Sequence, residues 1–475
     1  MSTITIIWIA LPLFVGFSIY LLPKLDRYFA LGVALVSAGY ALRLFFEGSP
    51  LKLQLLDSFG VILVADQLSS YFILTNALVT TAVILYCWRS DKTAFFYTQT
   101  IILHGSVNAV FICADFISLY VALEVISIAA FLLIAYPRTD RSIWVALRYL
   151  FISNTAMLFY LVGAVLVYQA NHSFAFAGLR GAPTEALALI FMGLLTKGGI
   201  FVSGLWLPLT HSESETPVSA LLSGVVVKTG VFPLVRFALM LDEIDPIVRL
   251  FGVGTALLGV LYAIFEHDTK RTLALSTISQ LGFILAAPEV GGFYALTHGL
   301  AKSLLFLVAG NLPSRSFKKL QDEPIHTPLW IALVIASLSI SGFPLLCGFG
   351  AKTLTLKNLL PWQVILMNLG VFGTATVYAK FIFLPHGRRE DVRLRFWPTV
   401  ILLVSALIIA NGVYYEAYTI ASITKALAII GLGWLAYFLI FKRFVLKLPR
   451  FLEQLEHLIG VMSLMLILLF WMVMA

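Results

Sequence analysis

The chain has 475 residues; 60% are hydrophobic and only 12% charged, about half the usual charged share of a soluble domain. Too little polar surface remains to cover a water-soluble fold of this size, so soluble enzymes and DNA-binding proteins are excluded. The net charge of +8 is spread between apolar stretches and forms no basic patch, so it is not a nucleic-acid signal.

The chain opens MSTITIIWIALPLFVGFSIYLLPKLDR, with no positive residue before the apolar run and with Lys24 and Arg27 after it. That pattern predicts a retained first helix and not a cleaved signal peptide. A helix needs about 20 apolar residues to span the hydrocarbon core of a bilayer. Sixteen stretches qualify, near 3–22, 28–46, 66–88, 95–113, 115–136, 144–170, 184–209, 217–241, 246–265, 272–287, 291–311, 328–360, 361–384, 397–416, 420–441 and 455–474. Two read as interrupted helices. The 184–209 stretch contains KGG and ends in WLP, and the 328–360 stretch has Gly342 and Pro344 in its middle. The polar connections are all short, and no soluble domain or low-complexity linker appears. The predicted fold class is an all-α polytopic membrane protein.

Charge sets the expected orientation. If sixteen spans alternate, the connections after odd-numbered spans collect 20 of the 32 Lys and Arg residues, from Lys24 and Arg27 through Arg388, Arg389, Arg393 and Arg395 to Lys447 and Arg450. By the positive-inside rule that side is cytoplasmic and both termini face out. The expected location is a bacterial-type cell membrane or a thylakoid-like membrane.

Cys87, Cys113 and Cys347 lie far apart without CxxC spacing, as expected of small hydrophobic fillers and not of a metal, iron–sulfur or disulfide framework. No glycine-rich nucleotide cradle is present. The expectation is therefore no cofactor, no metal and no redox chemistry within this chain.

The informative residues are ionisable ones inside the spans: Glu124, Lys197, Lys228, His298, Lys302, Lys352 and Lys380. A charge at mid-membrane costs on the order of 2.5–3.5 kcal/mol, so such residues face protein or water and serve a function. Desolvation favours a neutral amine, whereas a nearby carboxylate favours the ammonium. Moving the carboxylate by a few ångströms can therefore load or unload a proton, and a Glu–Lys pair followed by further lysines reads as a lateral proton relay. Interrupted helices fit, because freed backbone groups are tolerated beside a water-filled cavity. His298 and Lys302, four residues apart, share one helix face. They read as a relay station, or, for His298, as a buried histidine bonded to a neighbouring helix. Lys380, near a span end, reads as a snorkel. His211, in LPLTHSESETP, is expected in a cytoplasmic connection, as a candidate proton gate or as a helix cap. Glu213 and Glu215 beside it read as a solvated acidic turn. Lys197 and Lys352 each sit at an interruption and each is followed about 30 residues later by a second lysine, a weak echo of two related halves.

LLTKGGIFVSGLWLPLTHSESETPVSALLSGVVVKTGVFPLVRF resembles the signature stretch of the antiporter-like subunits: the proton-translocating membrane subunits of respiratory complex I and of Mrp-type sodium/proton antiporters. HDTKRTLALSTISQLGFI, THGLAKSLLFLVAG and SGFPLLCGFGAKTL match in the family's order and spacing, over roughly residues 60–385. The resemblance implies about 14–16 transmembrane helices, with two inverted five-helix repeats and broken helices seven and twelve. The corresponding division is 1–90 for N-terminal helices, 91–241 and 246–385 for the two repeats, and 397–475 for C-terminal helices. By position, Glu124 matches the family's helix-five glutamate and Lys197 the lysine at the helix-seven break, the two expected to form an ion pair. Lys228 matches the helix-eight lysine, His298 and Lys302 the His-xxx-Lys pattern of helix eleven, and Lys352 the helix-twelve position. The family often has PFHxWLP after the helix-seven lysine; here Val202, Ser203 and Gly204 precede Leu205-Trp206-Leu207-Pro208, so the resemblance implies no proton entry through that histidine. The expectation is a medium-sized paralogue, the D-type Mrp subunit or a quinone-oxidoreductase subunit of similar length, without the long lateral helix of the largest paralogues, and a lysine at 352 resembles the D-type Mrp subunit. The resemblance thus implies a proton-translocating subunit of a cation/proton antiporter, with protons and Na+ as ions and other hydrophobic subunits as partners. The alternative is a proton-pumping subunit of an NAD(P)H–quinone oxidoreductase or membrane hydrogenase, driven by redox chemistry elsewhere. A scaffold that has lost transport is a third reading, against which the intact lysine set argues.

Overall fold

The structure is a computed structural model and describes residues 2–56, 60–387, 396–443, 446 and 448–474. Arg388, Arg389, Arg393, Arg395 and Lys447, counted in the charge reading, lie outside the described residues. Among those described, thirteen helices are long and apolar enough to cross a membrane. They are spans 1 (Ser2–Leu21), 2 (Pro23–Glu47), 3 (Gln67–Cys87), 5 (Phe116–Ile134), 6 (Asp140–Asn171), 7 (Thr184–Glu213), 8 (Thr216–Met240), 9 (Asp245–Phe265), 11 (Pro288–Ala309), 13 (Pro361–Ile382), 14 (Trp397–Ala417), 15 (Ile420–Phe441) and 16 (Leu455–Val473). Span 4 (Ala94–Val110), span 10 (Thr269–Ala286) and the two-part span 12 (Thr327–Ser341 and Cys347–Lys357) complete the sixteen. The protein is an all-helical integral membrane protein.

Side-chain caps fix where several spans begin. Asp66, Asp115 and Asp268 accept from the backbone N–H groups of Ser69, Ser118 and Arg271, so each satisfies a donor that the first turn leaves open. Thr139 and Ser142 form a capping box at span 6.

The connections sort into two sets, as alternation requires. Those after odd-numbered spans meet one another: Lys92 pairs with Glu215 at 2.6 Å, Arg141 with Glu213 at 3.3 Å, and Arg315 with Asp268 at 2.9 Å. The acidic turn at Glu213 and Glu215 is thus tied to two neighbouring loops. Those after even-numbered spans form the other set. A hairpin of β1 (Leu51–Gln54) and β2 (Ile62–Ala65) bridges to Cys113, Asp115 bridges to Ala175, and Asp66 pairs with Arg236 at 2.8 Å. No connection crosses between the sets among these contacts.

Spans 8 and 11 are buried along their length, whereas spans 1, 14, 15 and 16 leave most of theirs exposed. Lys228 of span 8 and His298 and Lys302 of span 11 are therefore enclosed by other helices. Span 16 lies back over spans 6 and 7, and span 15 packs on span 13.

Two expectations are corrected. His211 is not in a connection. It lies in the second half of span 7, Leu207–Glu213, and is fully buried. Lys380 does not snorkel outward. Its ammonium donates to the carbonyls of Ala263 and Glu266 at 3.0 and 2.9 Å, closing the C-terminal end of span 9.

Candidate functional site

Both predicted interruptions exist and share one backbone device. Span 7 stops at Gly198, and Gly199 adopts φ +69°, a left-handed conformation that glycine takes without a Cβ clash. Ile200 N–H then reaches back to the carbonyl of Leu195. The first half of span 12 stops at Ser341, Gly342 adopts φ +83°, and Phe343 N–H reaches back to Leu338. Each is a Schellman ending, and the chain re-enters a helix a few residues later. At span 7 the Trp206 indole donates to the carbonyl of Thr196 at 2.9 Å, which also accepts from the Gly199 N–H, so the tryptophan of WLP ties the second half of the span to the break.

Lys197 occupies the last turn before the span 7 break and is 3% exposed. Its ammonium donates to Ser127 Oγ at 2.5 Å, Ser153 Oγ at 2.7 Å and the Leu123 carbonyl at 3.2 Å, and lies over the Tyr149 ring. The ion pair expected between Lys197 and Glu124 is not formed. No ion pair joins them among the described residues, and Glu124 Oε1 has no hydrogen-bond partner. Glu124 is half-buried, flanked on its outer helix face by exposed Val121 and Ile128. Glu124 is adjacent in sequence to Leu123, whose carbonyl Lys197 holds.

Lys228 owes its position to a π-turn. Leu222–Val226 inserts one extra residue per turn, and Val227 N–H bonds to Leu222. Lys228 Nζ donates to the Ser223 and Gly224 carbonyls of this turn at 3.3 and 2.5 Å. Spans 7 and 8 touch backbone to backbone here: a Cβ on Gly230 would overlap the Gly198 nitrogen. That contact sets Lys197 and Lys228 on adjoining turns of neighbouring helices. Span 11 is pressed close as well, because a Cβ on Gly299 would lie 3.0 Å from the Gly224 carbonyl and 3.5 Å from Lys228 Nζ.

Gly299 lies between His298 and Lys302 on span 11. Lys302 donates to Ser276 Oγ at 2.7 Å, Tyr378 Oη at 2.8 Å and the Leu273 carbonyl at 2.8 Å. This repeats the cradle of Lys197: a leucine carbonyl, a serine one turn on in the same helix, and a hydroxyl from another span. His298 has no hydrogen-bond partner at either ring nitrogen and is 1% exposed. The reading of His298 as a histidine bonded to a neighbouring helix therefore fails.

Lys352 enters the second half of span 12, and its side chain runs back against Gly342 at the break. Its ammonium has no hydrogen-bond partner and lies 5.0 Å from the Phe283 ring centre. A small cavity of roughly 10 Å³, lined by Gln280, Tyr294, His298 and Lys352, lies between the two unpartnered groups. That is space for about one water, the bridge a proton would need. His211 bonds through Nδ1 to the Leu207 carbonyl at 3.0 Å, which can only accept, so Nδ1 carries the proton and Nε2 is left as a free acceptor. Its ring faces Phe306, one turn beyond Lys302.

Sequence reasoning missed the hydroxyls. Ser127, Ser153, Ser276 and Tyr378 hold the two cradled lysines, but lone hydroxyls in apolar helices are too common to single out. It also passed over His104, an ionisable residue inside span 4. His104 is held by Thr80 Oγ1 at 3.1 Å and Ser37 Oγ at 2.8 Å in a network with Asn76 and Asn108. That network binds spans 2, 3 and 4 to one another, apart from the lysine line.

The family described as NADH:quinone oxidoreductase/Mrp antiporter, transmembrane, matches residues 113–377. The chain is 26% identical over 392 residues to the D-type subunit of the Na(+)/H(+) antiporter of Alkalihalophilus pseudofirmus, covering 74% of this chain and 80% of that protein. It is 30% identical over 399 residues to the N-type subunit of the NADH-quinone oxidoreductase of Desulforudis audaxviator, covering 73% and 78%. A Synechococcus NAD(P)H-quinone oxidoreductase chain 4 is 28% identical over 377 residues, covering 70% and 71%. Among solved structures, a chain of an archaeal membrane-bound sulfane sulfur reductase shares the fold with a TM-score of 0.78 at 21% identity, covering 92% of this chain and 99% of that one. A chain of the Mrp complex from Dietzia sp. does so with a TM-score of 0.76 at 20% identity, covering 91% and 99%.

Proposed function

The chain belongs to the NADH:quinone oxidoreductase/Mrp antiporter transmembrane family, and on that footing we propose that it is the proton-translocating, D-like subunit of a multisubunit cation/proton antiporter. The observation that carries the proposal is a line of buried amines and one imidazole running from span 5 to span 12 through the middle of the fold. In this reading Glu124 and Lys197 form the switch, Lys228, Lys302 and His298 pass the proton sideways, and Lys352 passes it to the far side. His211, with its free Nε2 beside Phe306, is the candidate gate on the side of the odd-numbered connections.

The physics is that of differential charge stabilisation. A buried ammonium held by neutral hydroxyls and carbonyls lacks a counter-charge. Swinging the Glu124 carboxylate toward it supplies one, and swinging it away withdraws it. Each such change alters how firmly the next amine keeps its proton, so motion at one end is transmitted along the line. The matched Schellman breaks of spans 7 and 12 and the matched lysine cradles support two related repeats, 91–241 and 246–385, flanked by helices in 1–90 and 397–475. Charge supports both termini facing out of a bacterial-type cell membrane or a thylakoid-like one.

A redox-driven reading keeps the same relay and changes the partners, and the match to quinone-oxidoreductase subunits favours it as the second choice. Purifying the tagged complex in mild detergent and identifying its subunits separates them. Small hydrophobic antiporter subunits without flavin or iron–sulfur proteins are expected, with protons and Na+ as the exchanged ions. Co-purifying iron–sulfur and quinone-site subunits would move the chain to the redox-driven complex.

A further inference from the structure

Lys352 faces a second, larger cavity on the side away from His298. Its volume is about 120 Å³, and its polar lining is Ser341, Lys352, Thr353, Lys357, Ser422 and Lys425. Three of these six are lysines, and no carboxylate lines the space. The break in span 12 opens the cavity and span 15 closes its outer wall. The room corresponds to roughly ten waters, enough for a tetrahedral phosphate and its first hydration partners.

Charge is what the cavity lacks. Lys352 is 4% exposed with an unpartnered ammonium, and a buried cation without a counter-charge is costly. Lys357 ends span 12 and Lys425 sits in the second turn of span 15, both exposed, at the level where a span leaves the hydrocarbon. Lysines gathered between transmembrane helices suit an anionic phosphate, to which each ammonium donates charge-assisted hydrogen bonds. Phe349, Leu356 and Ile429 form the cavity's apolar wall. Span 15 beside it presents exposed Ile420, Leu427 and Leu432, a bare apolar face along which acyl chains can lie.

We propose that this cavity binds the phosphate of an anionic phospholipid headgroup, held by Lys357 and Lys425 and placed as the counter-charge that Lys352 lacks. The lipid then borders the Lys352 end of the line of amines without being part of it. The site stands on the geometry around span 12 and does not depend on whether the line conducts protons.

The test uses the assembled complex, purified and washed free of native lipid. Phosphatidylglycerol and phosphatidylcholine are titrated separately, and bound lipid is counted by native mass spectrometry. The wild type is expected to retain phosphatidylglycerol roughly tenfold or more over phosphatidylcholine, as two interfacial lysines imply. K357A/K425A is expected to abolish the preference and K357R/K425R to restore it; both positions are exposed, so folding is spared. Equal retention of the two lipids by the wild type, or full preference in K357A/K425A, overturns the site. Displacement of the bound lipid by an equal concentration of inorganic phosphate overturns the lipid as the source of the anion.

Discussion

Ser127 Oγ accepts a hydrogen bond from Lys197 Nζ at 2.5 Å, three residues along span 5 from Glu124. Serine and glutamate thus compete for one ammonium from adjoining turns of the same helix. With the ammonium on the serine cradle, Glu124 keeps an unpartnered oxygen. In the proposed switch the ammonium would exchange the serine for the carboxylate.

Removing the cradle is expected to disable the switch without unfolding the protein. Hydrogen bonds to a charged group are worth about 1.5–3 kcal/mol each. Ser127→Ala combined with Ser153→Ala is therefore predicted to slow proton movement in reconstituted vesicles by roughly 100-fold or more, with normal assembly. Flux equal to the wild type would show that Lys197 works without the hydroxyls.

Close helix contact, more than any side chain, sets Lys197 beside Lys228. A Cβ at Gly230 would overlap the Gly198 nitrogen, so Gly230→Ala is predicted to push spans 7 and 8 apart. Overpacking of this kind costs about 1–3 kcal/mol. The expected result is a lower Tm in detergent together with reduced proton flux per folded molecule. An unchanged Tm would contradict the contact.

Lys380 closes the end of span 9 through two carbonyls, so its loss is predicted to act on stability. Lys380→Met leaves both acceptors without that donor, at a cost on the order of 1–3 kcal/mol. A drop in Tm with near-normal flux per assembled complex is expected. Loss of flux at an unchanged Tm would instead place Lys380 in the relay.

The loops after odd-numbered spans carry a pH-sensitive clasp outside the membrane. Glu266 pairs with Arg271 at 2.9 Å and with Arg450 at 3.0 Å, and Arg271 also pairs with Glu453 at 2.6 Å. Burial pushes the Glu266 carboxyl up, but Arg271, the His267 N–H and Arg450 outweigh it and hold the group below its ordinary range. A carboxylate with a lowered folded-state pKa adds stability above its unfolded value, near 4.3, and loses it as pH falls through the folded value. The Tm advantage of the wild type over Glu266→Gln is therefore predicted to be full at pH 7 and to shrink below about pH 4. A difference that stays constant from pH 7 to pH 3.5 would sink this assignment.

Thirteen of the spans were legible because each is a long apolar run, and alternation was legible because lysine and arginine collect in every second connection. Both interruptions were legible from Gly199, Gly342 and their neighbours. The placement of His211 was not, since LPLTHSESETP looks polar enough for a loop. Pro208, in the first turn of the second half-helix, starts that segment and carries His211 inside. Lys380 misled because a lysine at a span end usually reaches outward, and only tertiary packing shows that the end of span 9 lies within its reach. The charged relay residues stood out because charge is rare in apolar helices. The serines that hold them did not, since a hydroxyl can be satisfied by its own helix. The unformed Glu124–Lys197 pair is a matter of side-chain setting, which no sequence pattern encodes.

Proton movement through the Glu124–Lys197 switch is the central claim, and it is measured most directly in vesicles containing the intact complex, with a pH-sensitive dye inside. Glu124→Ala and Lys197→Ala are each predicted to assemble normally and to abolish coupled proton movement. Wild-type proton movement by either assembled variant would contradict the relay.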